Sequence, residues 1–239
     1  MRPAIEVTDL TIRYGAVTAV QGLTLTVNSG EVLGLLGGNG AGKSSTLRAI
    51  AGVNPPTAGT LLVAGFDMHD PREVEKARAA VGYCPDVGGL IRQATPREHI
   101  ALALAFRKST HLWPQALELV DQFDLLAVLD RPTAGFSHGM CRRLSVLLAA
   151  LTARNVLVLD EPFDGVDPLG VNATLAVVDL AKQSGLAVLI STHLIDLIVE
   201  ASDRVAVMIG GLVVDTDHAA AFTGSGGKDR YLGSLRTAA

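Results

Sequence analysis

Gly37-Gly38-Asn39-Gly40-Ala41-Gly42-Lys43-Ser44 fits the spacing G-x-x-x-x-G-K-[ST] without a gap, and Ser45 follows it. A polyphosphate is wrapped by backbone N–H groups, so such a loop needs residues free of Cβ clashes. A helix opening at Lys43 would point its partial positive end at the same phosphates. Lys43 then supplies a cation for the β- and γ-phosphates, and Ser44 supplies a hydroxyl ligand for Mg²⁺. Further along, Val156-Leu157-Val158-Leu159 is an apolar run closed by Asp160-Glu161. A carboxylate at the end of a strand in an open α/β sheet stands where such folds bind ligands. Asp160 there can hold Mg²⁺ through water, and Glu161 can accept a proton from an attacking water or position it. Leu189-Ile190-Ser191-Thr192-His193 repeats the device with histidine at the strand end, where a γ-phosphate sensor would stand.

The elements that must position these groups are legible in the hydrophobic rhythm. Alternation at Ile5 and Val7, Val17 and Val20, and Leu23, Leu25 and Val27 predicts an antiparallel β-subdomain, with turns at Gly15, Gly22 and Asn28-Ser29-Gly30. Glu31–Leu36 predicts a buried strand feeding the glycine loop and a helix over Lys43–Ala51, with a short strand at Leu61–Val63. Asp70-Pro71-x-Glu73 and Thr95-Pro96-x-Glu98 each read as a capped helix start. From Thr95 to Phe136 the apolar positions Leu102, Leu104, Phe106, Leu117, Val120, Leu125 and Leu126 predict an inserted helical lobe. Strands at Val156–Leu159, Ala187–Ser191 and Arg204–Ile209 then alternate with helices near Arg142–Ala153, Val171–Lys182 and Leu194–Glu200. Gly210-Gly211 turns a hairpin into Leu212–Asp215, and the Gly/Ser-rich stretch from Gly224 reads as a short, loosely held tail.

Composition narrows the function classes. The chain has 239 residues, 49% hydrophobic and 18% charged, which suits a buried core and excludes a disordered class. A net charge of −4 argues against a protein that coats nucleic acid. Cys84 and Cys141 are the two cysteines, too few for a disulfide scaffold and without metal-ligand spacing. Glu6 and Asp9 interrupt the first ten residues, unlike a secretory leader, and no apolar run approaches the roughly 20 residues of a spanning helix. Mean hydropathy of +0.36 fits a sheet covered on both faces, with or without an apolar docking face.

In this order the motifs resemble the ATP-binding subunits of ABC transporters, over about residues 4–223. The segment that carries the resemblance beyond other P-loop ATPases is Phe136-Ser137-His138-Gly139-Met140, followed by Cys141-Arg142-Arg143-Leu144. It is similar to the family's signature motif, and Ser137 precedes Asp160 by 23 positions. The resemblance implies an α/β fold: a P-loop NTPase core with a mostly parallel sheet, an N-terminal antiparallel β-subdomain and an inserted α-helical subdomain at about 87–150. One ATPase domain would cover 1–223, with 224–239 as the tail.

It also implies ATP and Mg²⁺ as ligands and a head-to-tail dimer, homo- or heteromeric. Each ATP would lie between the Gly37–Ser45 loop of one subunit and Ser137, His138, Gly139 and Met140 of the other. Tyr14 matches the aromatic that stacks on adenine, Asp164-Gly165-Val166-Asp167 the loop that crosses the dimer interface, and His193 the switch histidine. Lys43, Glu161 and His193 carry the catalytic roles; Ser44, Asp160 and Asp86 are the metal candidates. A separate membrane-spanning permease on the cytoplasmic face of the cell membrane is the implied partner, with export the favoured direction and nucleic acid no partner. The other readings are a non-transport ABC ATPase and a nucleotide switch without turnover.

Three residues depart from the family pattern. Asp86, in Gly82-Tyr83-Cys84-Pro85-Asp86, stands where the family has glutamine. It is shorter and anionic, able to reach Mg²⁺ or water but repelling the γ-phosphate. His138 stands where the family's signature has a glycine directly after the serine, and Met140 where it has glutamine. That variant resembles drug and antibiotic exporters.

Overall fold

Continuous apolar strands need covering on both faces, and the arrangement of the chain provides it. The structure, a computed structural model, describes residues 3–237, so the outermost residues of the expected domain and tail lie outside it. Strands β1 (Ile5–Tyr14), β2 (Val17–Val27), β4 (Ala58–Val63) and β5 (Phe66–Asp67) form a four-stranded antiparallel sheet in the order β2-β1-β4-β5. A six-stranded sheet is built from β3 (Val32–Leu36), β6 (Val81–Cys84), β7 (Val156–Asp160), β8 (Ala187–Thr192), β9 (Arg204–Ile209) and β10 (Leu212–His218). Its order is β10-β9-β3-β8-β7-β6, parallel throughout except for the antiparallel edge strand β10.

Every residue of β3, β7 and β8 is buried. Alternate side chains enter two cores, as the two-residue period of a strand requires. Leu33, Leu35, Val156 and Val158 join the antiparallel sheet and Leu47, Ala49 and Ile50 of α1 (Lys43–Ile50). Val32, Leu36, Leu157 and Leu159 join the opposite core. There they meet α5 (His138–Thr152), α6 (Pro168–Gln183) and α7 (Ile195–Ala201), through residues such as Leu147, Val177 and Ile198. The inserted lobe, α3 (Pro96–Phe106) and α4 (Trp113–Gln122), contributes Ile100, Leu104 and Val120 to this second core, so it is packed rather than appended.

Four expectations are corrected. Gly22 is no turn: it lies inside β2 at φ 60°, where the β1–β2 register slips between Leu10↔Leu23 and Ile12↔Val20, a bulge that glycine accommodates. The helix expected at Asp70 begins later, as α2 (Val74–Ala80). Asp70 folds into a local turn by accepting from Arg72 N at 2.8 Å, and Glu73 is spent on Asp67 N at 2.9 Å, so no capping box forms. At Thr95 the same sequence device does form the box. Helix α5 starts at His138 instead of Arg142, because the Ser137 hydroxyl caps it by accepting from Met140 N at 3.2 Å. The expected loose tail is instead α8 (Gly224–Thr237). Arg230 pins it to β10 through Asp215 and Asp217, each at 2.7 Å, and stacks on Phe222.

Candidate nucleotide site

Three neighbouring strands, β3, β8 and β7, end on one edge of the parallel sheet, and each delivers a chemical group there. Strand β3 runs into the glycine loop, whose Gly37 N donates to Thr192 O at the end of β8 at 3.4 Å. The loop's composition is dictated by its surroundings. A Cβ on Gly37 would lie 2.4 Å from Met208 O, and one on Gly42, at φ 100°, would lie 2.5 Å from Ala19 O. Helix α1 then opens at Lys43, as the loop spacing predicts.

The charged groups form a compact chain. Lys43, 5% exposed, donates to Gly37 O at 2.6 Å and Gly38 O at 3.2 Å and pairs with Glu161 Oε1 at 3.1 Å. The other carboxylate oxygen of Glu161 meets His193 Nδ1 at 3.1 Å. Glu161 is held at φ 49°, in the left-handed region, by its N–H, which donates to both Ser191 O and Ser191 Oγ at 3.1 Å. Such a conformation costs on the order of 1–3 kcal/mol in a non-glycine residue.

Asp160 is fully buried. Its Oδ1 accepts from Ser191 Oγ at 2.7 Å and Ser44 Oγ at 3.1 Å, while Oδ2 has no partner among the described residues. Burial pushes the Asp160 carboxyl above the ordinary carboxylate range; the Ser191 and Ser44 hydroxyls oppose that shift, and the charges of Asp86 and Glu161 reinforce it. A buried carboxylate oxygen without a donor is an energetic liability that a hard cation relieves. Ser44 and Asp160 therefore fit a Mg²⁺ ion.

Lys43, Ser44 and Glu161 line an open cavity of about 560 Å³. Its lining combines residues 38–45 of the glycine loop and the helix it opens with Asp86 and Glu161, and with Tyr14, Val17, Thr18 and Ala19 from the antiparallel sheet. Tyr14 accepts from Asn54 Nδ2 at 3.2 Å and keeps an exposed ring, so it can offer a face to a base. Among the sequence candidates for nucleotide, metal and catalysis, the structure thus brings together Tyr14, the Gly37–Ser45 loop, Asp86, Asp160, Glu161 and His193.

It does not bring Ser137, His138, Gly139 or Met140 into that cavity. They occupy the exposed amino end of α5, where His138 faces the Asp164 carboxylate at 3.5 Å. A Cβ on Gly139 would lie 2.7 Å from Gly165 O, so the two loops are in close packing. Asp167, at the end of that second loop, caps α6 by accepting from Gly170 N at 2.8 Å.

Two site residues escape a reading of the sequence. Ser191 lies opposite Asp160 in the β7–β8 register and orients both acidic residues. Its signal is a serine closing the apolar run Leu189-Ile190. Arg142, buried on α5, reaches the Asp86 loop, and nothing in its sequence surroundings singles it out from the neighbouring Arg143.

The comparisons with known proteins agree with this geometry. The ABC transporter family model matches residues 20–164. Nod factor export ATP-binding protein I of Sinorhizobium fredii is 35% identical over 213 residues, 87% of this chain and 61% of that protein, so the chain spans about three-fifths of that relative. Lipopolysaccharide export system ATP-binding protein LptB of Haemophilus influenzae is 30% identical over 213 residues, covering 87% of this chain and 88% of LptB. A solved ATP binding subunit of an ABC transporter superposes with a TM-score of 0.88 at 29% identity, covering 97% of this chain and 99% of that one. With the phosphate loop, the acidic strand end and His193 assembled on a matching fold, the chain belongs to the ABC transporter family of ATP-binding subunits.

Proposed function

We propose that this chain binds MgATP, hydrolyses it as one half of a dimer, and powers export through a separate membrane-spanning partner while peripheral on the cytoplasmic membrane face. The observation that carries the reading is the convergence of Lys43, Ser44, Asp160, Glu161 and His193 on one sheet edge, where Lys43, Ser44 and Glu161 line a cavity of about 560 Å³. The ATPase domain is assigned to residues 1–223, with the helical subdomain at about 87–150 inside it. Export is taken from the Nod factor export and lipopolysaccharide export relatives named above. Among the described residues no helix is long and apolar enough to cross a membrane, so the path across it is assigned to the partner.

The residues divide the chemistry as follows. Tyr14 stacks on the adenine, and the loop amides with Lys43 hold the β- and γ-phosphates. ATP competes with Glu161 for Lys43, because the two now form a pair at 3.1 Å. Once released, Glu161 accepts a proton from the attacking water or positions it, steadied by His193. Ser44 and Asp160 are the residues that would hold Mg²⁺, which when bound neutralises charge across the phosphate oxygens. Ser137 and the amino end of α5 would complete the site of a second subunit, whose γ-phosphate they meet.

Turnover and assembly test the reading together. Glu161→Gln should abolish Mg²⁺-dependent hydrolysis while ATP drives a stable dimer on size-exclusion chromatography. A native chain that binds ATP but neither hydrolyses it nor dimerises, alone or with its permease, would sink the proposal.

A further inference from the structure

Asp86 poses an electrostatic problem that the assignment of an ATP site makes acute. Its carboxylate borders the same cavity as the phosphate loop, and its charge is felt by the buried Asp160. Three carboxylates, Asp86, Asp160 and Glu161, thus stand beside a triphosphate that is itself strongly anionic. Lys43 offsets part of this charge. An acid at position 86, unanswered, would repel the γ-phosphate.

The answer comes from the helix that opens at the signature segment. Arg142 is almost fully buried, with 3% of its side chain exposed. Its Nη1 donates to Pro85 O at 2.7 Å and to Asp160 O at 3.2 Å. Its Nη2 donates to the backbone carbonyl of Asp86 and, at 3.1 Å, to Asp86 Oδ1. One guanidinium therefore ties together the Pro85–Asp86 loop, the end of β7 and α5, and its charge lies directly on the Asp86 carboxylate. A cation so deeply buried is stable only when paired and hydrogen-bonded, and here the pairing acid is the one facing the nucleotide.

We propose that Arg142 is a charge-compensating positioning residue for ATP: its ion pair with Asp86 cancels the repulsion that an acid in this loop would exert on the γ-phosphate. The inference rests on the ATP site assigned above. It implies that positions 86 and 142 are energetically coupled through the nucleotide, and that the coupling is felt by ATP more than by ADP, which lacks the γ-phosphate.

Equilibrium binding of ATP and ADP to the full chain, in magnesium-free buffer so that no turnover intervenes, tests it. Arg142→Met should weaken ATP binding by about tenfold, the scale of one unpaired charge near a phosphate in a partly solvated site, and ADP binding by much less. Asp86→Asn added to Arg142→Met should restore ATP binding to near the native value. Asp86→Asn alone leaves Arg142 its carbonyl acceptors on Pro85, Asp86 and Asp160 and keeps the arm informative if Arg142→Met does not fold; it should tighten ATP binding several-fold and raise the preference for ATP over ADP. Loss of ATP affinity in Asp86→Asn, an unchanged ATP-to-ADP ratio, or a double variant no better than Arg142→Met would overturn the compensation. A native chain that binds neither nucleotide would overturn the ATP site itself, an outcome distinct from all of these.

Discussion

Lys43, just beyond the loop that follows β3, and Asp160 and Glu161, at the end of β7, lie buried at one sheet edge, whereas Ser137 and His138 stand exposed on the outer end of α5. The first group is complete within one chain: each charge has a partner, and the one orphaned oxygen, Asp160 Oδ2, points to a cation. In the second group, Ser137 caps its own helix and His138 faces its own chain's Asp164. The contrast separates two supports: a buried sheet edge that is self-sufficient within one chain, and an exposed helix end that, in the dimer proposed above, would be offered to a second copy.

The sharpest way to break this contrast is at Glu161. Glu161→Gln should lower turnover by about 10²–10⁴-fold, the usual worth of a positioned base, while ATP affinity measured by titration stays within a few-fold of native. Loss of ATP binding with turnover would mean that the Lys43–Glu161 pair holds the loop open rather than being displaced by the nucleotide. Next in size, Ser137→Asn keeps a capping side chain on α5 but alters the exposed face. It should cut steady-state turnover by about a hundredfold, as loss of one phosphate-facing donor does, with monomer ATP affinity unchanged. Mixing Ser137→Asn with Lys43→Ala chains should return roughly a quarter of native activity, since half of randomly paired dimers then hold one intact site. Activity absent from every mixture would place the signature segment outside the reaction.

Ser191→Ala sharpens the picture inside the buried half. It removes the hydroxyl shared by Asp160 Oδ1 and Glu161 N and should raise the magnesium concentration for half-maximal turnover by about tenfold, as loss of a residue orienting a metal ligand does. A thermal melt would separate this from a global loss of stability.

The two cysteines report the contrast most gently. Burial pushes the Cys84 thiol, at the end of β6, up to about 12 and raises that of Cys141, on α5, by a smaller margin. At pH 8 a thiol reagent should label Cys141 in the native chain and Cys84 only after unfolding. The folded thiol of Cys84 titrates above its unfolded counterpart, so its contribution is present below about pH 9 and is lost as pH rises toward 12. Cys84→Ala should flatten the alkaline slope of stability by about 1 kcal/mol per pH unit, read from urea titrations at successive pH values.

Local chemistry was enough to read the phosphate loop, the acidic strand end and the parallel strands. Gly37 to Ser44 is a continuous motif, and Val156–Leu159 with Asp160-Glu161 needs no distant partner to be read as a buried strand delivering carboxylates. Element starts were less secure wherever a side chain had two possible partners. Glu73 serves Asp67 N rather than capping a helix at Asp70, whereas Glu98, with no such competitor, completes the box at Thr95. The same competition made α8 a helix: its Gly/Ser composition suggests slack, but Arg230 finds Asp215 and Asp217 on β10.

Composition and spacing therefore determined the type of site, because backbone amides, a lysine and two carboxylates are specified by short stretches of chain. Tertiary structure alone decided the electrostatics. Ser191 reaches Asp160 only through the β7–β8 register, and Arg142 reaches Asp86 only because α5 packs beneath the Pro85–Asp86 loop, 56 residues away in sequence. Sequence spacing carries no record of such long-range pairings, since a charge is balanced by whatever the fold brings within a few ångströms.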